Sequence, residues 1–350
     1  MGMVDCLDRI RGCLLAGACG DALGAPVEFL SLDEIRRRFG PDGIRNFAPI
    51  YGRAGAITDD TQMTLFSLEG LLRAHVRAPG GSSSDVMPVI HRAYLHWLLT
   101  QGARPRMEIA KPDGWLFGLG SLHSLRAPGN TCLSALRAAS SLGAFAANDS
   151  KGCGGVMRAA PFGFFDMAER AFELAADAAR LTHGHPSGYL AAGHLGALIA
   201  LLLEGRGLDD ALDGAGALLR HRQGHEEVAR ALERARKLAG EGPSTERLVA
   251  LGGGWIAEEA LAMAVYAALA APSLEEALVL AVNHGGDSDS TGAIAGNILG
   301  ALQGTSAIPS RWLEGLELRE EIERLATDAD RALTHGPDSA RALAAAYPGW

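Results

Sequence analysis

Residues 57–76 read ITDDTQMTLFSLEGLLRAHV and combine a cluster of polar residues with a long apolar segment. The apolar residues recur at intervals of three and four: Leu65, Leu68, Leu72 and Val76. That spacing puts them on one face of an α-helix. The stretch therefore predicts a helix from Asp59 that buries one face and carries two adjacent acids at its start.

The rest of the chain shows the same helical character. Ser31 and Glu34 form a capping box before a helix that Gly40-Pro41 ends, and Ser273 and Glu276 form another. Further stretches rich in Ala and Leu, the strongest helix formers, lie at 166–182, 186–205, 208–222, 225–240 and 255–271. Few runs have the alternation of a strand. The prediction is an all-α orthogonal multi-helix bundle with almost no sheet.

The chain shows no internal repeat and no clear domain linker. Residues 78–85 (APGGSSSD) predict a flexible loop, and 102–129 a long loop or mixed segment. Residues 316–350 predict peripheral helices. We therefore expect a single domain over residues 1–350.

Composition limits the classes of partner. The 350 residues include 32 basic and 41 acidic side chains, which gives a formal net charge of −9. Such a surface repels phosphate backbones, so we expect no nucleic-acid partner. The five cysteines form no CxxC pair, which is typical of reduced thiols rather than of a disulfide framework or a zinc knuckle.

The N-terminal segment lacks the features of a secretory signal. Its short apolar run, 13–20, follows Asp5 and Asp8 instead of a basic leader. By inspection no segment approaches the length and apolarity of a membrane span. The expected location is the cytoplasm, with no membrane partner.

Two segments gather carboxylates and hydroxyls at helix starts. One is Thr58-Asp59-Asp60-Thr61, and the other runs from Asn283 to Gly292 (NHGGDSDSTG). Hard divalent cations such as Mg²⁺ and Mn²⁺ prefer oxygen ligands of this kind, and no His or Cys is interleaved with the first pair, which argues against zinc. The segments predict a metal site.

Helix capping is the alternative interpretation. Thr58 and Ser290 can each cap a helix, and acids in a first turn favour the positive end of the helix dipole. Capping explains one acid per helix, but adjacent carboxylates repel each other unless a cation lies between them. The second segment also resembles an EF-hand loop, but its twelfth position is Ile298 instead of Glu, so a calcium sensor is excluded.

Residues 17–28 place glycines before a carboxylate. A dinucleotide-binding motif would need a preceding strand, so the glycines favour close helix packing or a tight bend. Glu28 lies between apolar neighbours, Val27 and Phe29. A carboxylate in such a context is either paired or used chemically, and both interpretations stay open.

Residues 150–158 (SKGCGGVMR) form a glycine-rich loop whose backbone amides could hold a pyrophosphate, although by itself the sequence favours a plain turn. His183, before the next helix, is by itself typical of a structural hydrogen-bonding residue. Trp255 either borders a binding site or belongs to the core.

Three motifs together have a more specific meaning. Residues 20–28, 58–61 and 286–290 resemble the ADP-ribosylglycohydrolase family in both content and order. The matching segments run from about residue 10 to residue 303. The resemblance implies an all-α fold of that family and a binuclear Mg²⁺ or Mn²⁺ centre.

The resemblance also implies roles for individual residues. The metal ligands would be Thr58, Asp59, Asp60, Asp287, Asp289 and Ser290. Glu28 matches an acid near the metals, and Glu28 or Asp60 would move protons during catalysis. The substrate-binding residues would be Asn130, Gly152, Gly154, Gly155, Met157, His183 and Trp255.

The function implied is hydrolysis of the N-glycosidic bond that joins ADP-ribose to an arginine side chain of a protein. Some arginine-specific members have an Asp where this chain has Ala127, three residues before Asn130. The alternatives are a serine, O-acetyl or poly-ADP-ribose linkage. The chain could also protect a cell against an ADP-ribosylating toxin, either by reversing its modifications or, without catalysis, by covering the active site of this cognate partner.

Overall fold

The predicted fold class, an all-α bundle with almost no sheet, is confirmed. The structure, a computed structural model, describes residues 5–79, 81–334 and 336–350. Within those ranges it has sixteen α-helices and one two-stranded antiparallel hairpin, β1 (Pro49–Ile50) with β2 (Arg53–Ala54).

Most helices follow one another with short connections, but long connections precede the helices that begin at Asp59, Asn130 and Ala168. The first eight are α1 (Cys6–Gly24), α2 (Leu32–Phe39), α3 (Asp59–Arg77), α4 (Ser83–Thr100), α5 (Asn130–Ala138), α6 (Ala168–Arg180), α7 (Pro186–Leu203) and α8 (Leu208–Arg220). The remaining eight are α9 (Glu226–Ala239), α10 (Thr245–Val249), α11 (Ala257–Ala270), α12 (Leu274–Val282), α13 (Ser288–Gln303), α14 (Ser310–Gly315), α15 (Arg319–Thr334) and α16 (Gly336–Leu343).

The closest helix pair is α1 with α13, which run antiparallel. A Cβ on Gly20 would lie 2.0 Å from the carbonyl oxygen of Gly292, so the two backbones touch. The Asn297 amide donates to the Cys13 carbonyl at 2.9 Å along the same contact. The helix-packing interpretation of the N-terminal glycines is therefore correct, and the start of α13 lies beside the end of α1.

Helix α3 is held at its start by Asp21 of α1. The buried Asp21 carboxylate accepts from the Thr58 amide at 3.0 Å and from the Thr61 amide and hydroxyl at 3.1 and 2.5 Å. These amides belong to a helix start, where no carbonyl within the helix is available to them. Every residue from Asp59 to Ala74 is buried, so α3 is a central helix, and the single buried face predicted from its leucines was too narrow.

The helices predicted over 166–271 agree with α6, α7, α8, α9 and α11 to within about two residues at each end. The expectation that no segment has the length and apolarity of a membrane span was wrong for one helix. Pro186–Leu203 is 18 residues long with a mean hydropathy of 1.5. Because 83% of it is buried within the fold, this apolar stretch is accounted for as a core helix.

Two local predictions need correction. The loop predicted over 78–85 is shorter, because α4 begins at Ser83 and the Ser82 and Asp85 side chains form a capping box. Ser273 caps α12 as expected, but the Glu276 carboxylate does not return to it and instead accepts from Arg45 at 3.2 Å. Residues 102–129 are irregular, as predicted, apart from one 3₁₀ turn at Gly120–Leu122.

The C-terminal helices cover the bundle on the side of α1 and α3. The amphipathic α15 buries Ile322, Leu325 and Ala326 and packs on α1 and α3. All five cysteines are free thiols, as expected from their spacing.

Candidate active site

The two acidic helix starts open on one cleft of about 430 Å³. Its acidic and hydroxyl lining comprises Glu28, Asp59, Asp60, Asp287, Asp289 and Ser290. The other predicted residues that line it are Asn130, Gly152, Gly154, Met157, His183 and Trp255. The fold therefore brings together segments that are more than two hundred residues apart in the chain.

Thr58 links the two helix starts. Its hydroxyl oxygen accepts from the Asp60 amide at 3.2 Å, which caps α3. The same side chain is hydrogen-bonded to Asp289, and this bond lowers the pKa of that carboxyl against the larger, opposite effect of burial. Asp59 accepts from the Gly129 amide at 3.2 Å, which joins α3 to the loop before α5.

The carboxyls of the cleft repel each other in buried surroundings. Within the described residues none of the five forms a salt bridge with Lys or Arg. Burial, followed by the charges of Asp289, Asp287 and Asp59, raises the pKa of Glu28 to about 10. Burial and Asp289 raise the pKa of Asp60 well above its usual range. The cleft is therefore a strong site for positive charge.

The donor atoms fit divalent cations. One carboxylate oxygen from each of Glu28, Asp287 and Asp289 lies within 4.8 Å of the other two. Glu28 Oε2 and Asp60 Oδ2 are buried with no hydrogen-bond partner among the residues that the structure describes. Helix capping does not account for these acids, since the Asp287 side chain makes no capping bond to α13. Oxygen donors of this kind suit Mg²⁺ or Mn²⁺.

The glycine-rich loop is fixed beside the acids by its pairing with the start of α11. The Cys153 amide donates to the Trp255 carbonyl at 3.1 Å, and the Ala257 amide donates to the Lys151 carbonyl at 2.8 Å. A Cβ on Gly154 would lie 2.8 Å from Cys132 Sγ and 3.2 Å from His183 Cε1. The loop contains a 3₁₀ turn at Cys153–Gly155, packed so closely that Gly154 has no room for a side chain.

Two predicted residues lie behind the wall of the cleft. Thr58 is fully buried and does not line the cavity. Gly155 faces inward, where a Cβ would lie 3.0 Å from the Cβ of Ala179. Their roles as metal ligand and substrate-binding residue stay predictions.

The rim of the cleft is aromatic. Trp255 is 46% exposed, so the interpretation of Trp255 as a core residue is wrong. Its ring stacks on Phe29, 72% exposed, with centroids 6.0 Å apart and an interplanar angle of 23°. Phe29 is a residue of the site that its sequence context, an apolar neighbour of Glu28, does not identify.

Two further polar residues at the site were missed. Cys153 lines the cleft and donates from Sγ to Asp287 Oδ2 at 2.8 Å, but only the glycines of its loop had been considered. Asp21 stands in a quoted motif without an assigned role, although it fixes the start of α3. A polar side chain inside an otherwise small and apolar segment is the signal that could have identified both.

Comparisons with known proteins give matches over nearly the whole chain. A family model described as ADP-ribosylglycohydrolase matches residues 3–341. The ADP-ribosyl-[dinitrogen reductase] glycohydrolase of Rhodospirillum rubrum is 30% identical over 336 residues, which cover 93% of this chain and 96% of that protein. The ADP-ribosylarginine hydrolase Tri1 of Serratia proteamaculans is 27% identical, over 91% of this chain and 78% of its own length.

A solved structure is similar over nearly the whole chain. It is described as an ADP-ribosylglycohydrolase-related protein complex and matches with a TM-score of 0.67 and 29% sequence identity. The match covers 95% of this chain and 99% of the other.

Proposed function

The chain belongs to the ADP-ribosylglycohydrolase family, and on that premise we propose that it is a metal-dependent hydrolase that releases ADP-ribose from arginine side chains of proteins. The observation that carries the proposal is the convergence of five carboxyls without basic partners on one cleft, beside a glycine-rich loop. The names of the two relatives, an ADP-ribosyl-protein glycohydrolase and an ADP-ribosylarginine hydrolase, support the substrate class.

Two divalent cations, Mg²⁺ or Mn²⁺, would be held by residues of both helix starts. The proposed ligands are Thr58, Asp59 and Asp60 from α3 and its cap, with Asp287, Asp289 and Ser290 from α13 and its cap. When bound, such ions supply concentrated positive charge that polarises ribose oxygens and water. The cluster of carboxylate oxygens and the two unpartnered oxygens support this assignment.

The remaining chemistry belongs to the chain. The bond that breaks joins the anomeric carbon of the ribose to a guanidinium nitrogen, and a transition state with oxocarbenium character is stabilised by nearby carboxylates. Water adds to that carbon, and its proton must reach the departing nitrogen. Glu28 and Asp60 are our candidates for carrying it, because each has a buried oxygen without another hydrogen-bond partner. The glycine-rich loop and His183 would bind the diphosphate.

The identity of residue 127 favours a second candidate substrate, with ADP-ribose linked to a group other than arginine. Ala127 lines the cleft but offers no carboxylate for a guanidinium. Serine-linked, O-acetyl- or poly-ADP-ribose would need no such partner. The same ribose-binding residues and metal ligands would serve these substrates.

Protection against an ADP-ribosylating toxin is a further proposal, with the cytoplasm as its place of action. The complete carboxylate set supports protection by hydrolysis, in contrast to non-catalytic covering of a toxin. Co-purification of a toxin with an Asp60→Ala variant that still protects cells would favour covering.

The test is a hydrolysis assay on ADP-ribosyl-arginine and ADP-ribosyl-serine proteins, after EDTA treatment and after addition of Mg²⁺ or Mn²⁺. We expect release of ADP-ribose from the arginine substrate only with metal. Asp60→Ala should abolish release, whereas Asp210→Ala, an exposed acid in the first turn of α8, should not. Full turnover by the EDTA-treated protein would contradict the metal-centred proposal.

A further inference from the structure

Arg158 ends the glycine-rich loop and is buried without an acidic partner. Its side chain is 1% exposed, and within the described residues it forms no salt bridge. Its contacts are neutral: Met63 Sδ at 3.3 Å, Cys132 Sγ at 3.2 Å and the Tyr94 ring, whose centroid lies 4.3 Å from the guanidinium carbon. Burying a charge in this way is costly unless something else compensates it.

Another buried arginine shows what ordinary compensation looks like in this fold. Arg73 is also fully buried and stacks on an aromatic ring, that of Trp350, at 3.9 Å. Unlike Arg158, it donates to a carboxylate, Glu69, at 3.1 Å. The missing carboxylate at Arg158 therefore needs a separate explanation.

The Arg158 guanidinium lies one residue layer from the cleft. Cys132, which it contacts, lines the cavity, and so does Met157, its neighbour in the chain. Its second contact with the cleft runs through Thr182. Arg158 Nη2 donates to Thr182 Oγ1 at 2.6 Å, and Thr182 Oγ1 lies 2.8 Å from His183 Nδ1.

The distances among these contacts favour one nitrogen of His183 as the one that carries hydrogen. A guanidinium that donates to a hydroxyl oxygen makes that hydroxyl a better donor in turn. Among the acceptors near the Thr182 hydroxyl, His183 Nδ1 at 2.8 Å is nearer than the Ala179 carbonyl at 3.2 Å. With Nδ1 accepting, the hydrogen of the neutral ring is on Nε2. Burial, and then the Arg158 charge, lower the pKa of His183 to about 3, so the ring stays neutral.

Nε2 is on the side of the glycine-rich loop. Cβ atoms built on Gly152 and Gly154 would lie 3.4 and 3.5 Å from it, so the loop passes close to this nitrogen at its two glycines. His183 itself lines the cleft. We propose that Arg158 is a positioning residue that fixes His183 as an Nε2–H donor to the diphosphate of the ligand, and that the diphosphate is the counter-charge of Arg158. This inference rests on the proposed function, since it assigns the diphosphate to this loop.

Two variants test, at different points, the hydrogen-bond relay that runs from Arg158 through Thr182 to His183. Thr182→Val removes the hydroxyl with little change of shape, and Arg158→Lys keeps the charge but loses the planar pair of donors. Arg73→Lys is the matched control, because it makes the same change at a buried, ring-stacked arginine outside the cleft. Binding of ADP-ribose to the full-length protein with Mg²⁺ is measured by calorimetry, and ¹⁵N NMR of the imidazole rings reports the His183 tautomer.

We expect wild-type His183 to be the Nε2–H tautomer, and Thr182→Val and Arg158→Lys to weaken ADP-ribose binding about tenfold, the usual effect of one lost hydrogen bond to a charged group. Thr182→Val should also mix the tautomers, while Arg73→Lys leaves both readouts unchanged. An Nδ1–H tautomer in the wild-type protein, or unchanged affinity in folded Thr182→Val, would overturn the inference. If the wild-type protein does not bind ADP-ribose, the proposed function is contradicted, and the NMR measurement still decides whether the relay exists.

Discussion

Glu28→Gln should stabilise the metal-free protein while abolishing its activity. Burial and the neighbouring carboxylates raise the pKa of Glu28 from 4.5 to about 10. At pH 7 the folded protein therefore holds a proton that the unfolded chain has released. At 1.36 kcal/mol per pKa unit, retaining that proton from pH 4.5 to pH 7 costs about 3 kcal/mol of unfolding free energy. Gln carries no such cost, because it is neutral in both states.

The sign of the pH dependence follows from the raised pKa. Below pH 4.5 Glu28 is protonated in both states, so the wild-type protein and the variant should have similar stability there. As the pH rises towards 7, the wild-type protein loses stability relative to the variant. The difference should grow to about 2–3 kcal/mol, or several degrees in Tm.

Urea unfolding in EDTA at pH 4.5 and pH 7 measures this difference directly. Glu233→Gln, an exposed acid on α9, is the control and should change stability little at either pH. Added Mg²⁺ should stabilise the wild-type protein more than Glu28→Gln, because a cation compensates the repulsion that the variant has already relieved. A variant that is no more stable than the wild-type protein in EDTA at pH 7 would refute the electrostatic argument.

Three further predictions concern the metal centre, the loop and the central helix pair. Asp289→Ala should abolish release of ADP-ribose. It should also remove the rise in Tm that Mg²⁺ or Mn²⁺ produces, as measured by calorimetry. An unchanged rise would contradict the assignment of Asp289 as a metal ligand. Gly154→Ala should weaken ADP-ribose binding at least tenfold, because its Cβ would lie 2.8 Å from Cys132 Sγ. Wild-type affinity in this variant would show that the loop can shift to accommodate the added Cβ. Gly20→Val should cost about 3 kcal/mol or prevent folding, because a Cβ there meets a backbone carbonyl at 2.0 Å; full stability in urea would contradict the packing of α1 on α13.

Local sequence patterns were sufficient for the helices between 166 and 271 and for the acidic helix starts that meet in the cleft. The Ala- and Leu-rich stretches have strong intrinsic helix preference, so α7 and α11 were placed to within two residues. A metal site could be predicted because capping explains two acids at each of two helix starts poorly. That both clusters share one site was implied by the family resemblance. Family resemblance supplied His183 and Asn130, whose local sequence is unspecific.

Properties that depend on tertiary contacts could not be predicted in the same way. The periodicity of α3 shows one apolar face, but its polar side chains are also buried, because Asp21 and neighbouring helices supply partners for them. The apolar helix Pro186–Leu203 lies in the core because other helices pack around it, and its composition alone does not show this. Likewise, the pairing of Glu276 with Arg45 instead of Ser273 joins residues far apart in the chain.

The location of the acidic cluster has a physical reason in the fold. Helices α3 and α13 both begin at the cleft, so the positive ends of two helix dipoles face the carboxyls, and each favours nearby negative charge. At α3, the positive end of the dipole is already partly neutralised by the Asp21 carboxylate, which accepts from the first amides of that helix. The helix ends therefore offset only part of the repulsion, as the raised pKa of Glu28 shows. Since α1 and α13 touch through glycine, Asp21 and Asp289 cannot separate without disrupting that helix pair, so protonation, as at Glu28, or added cations must balance the charge.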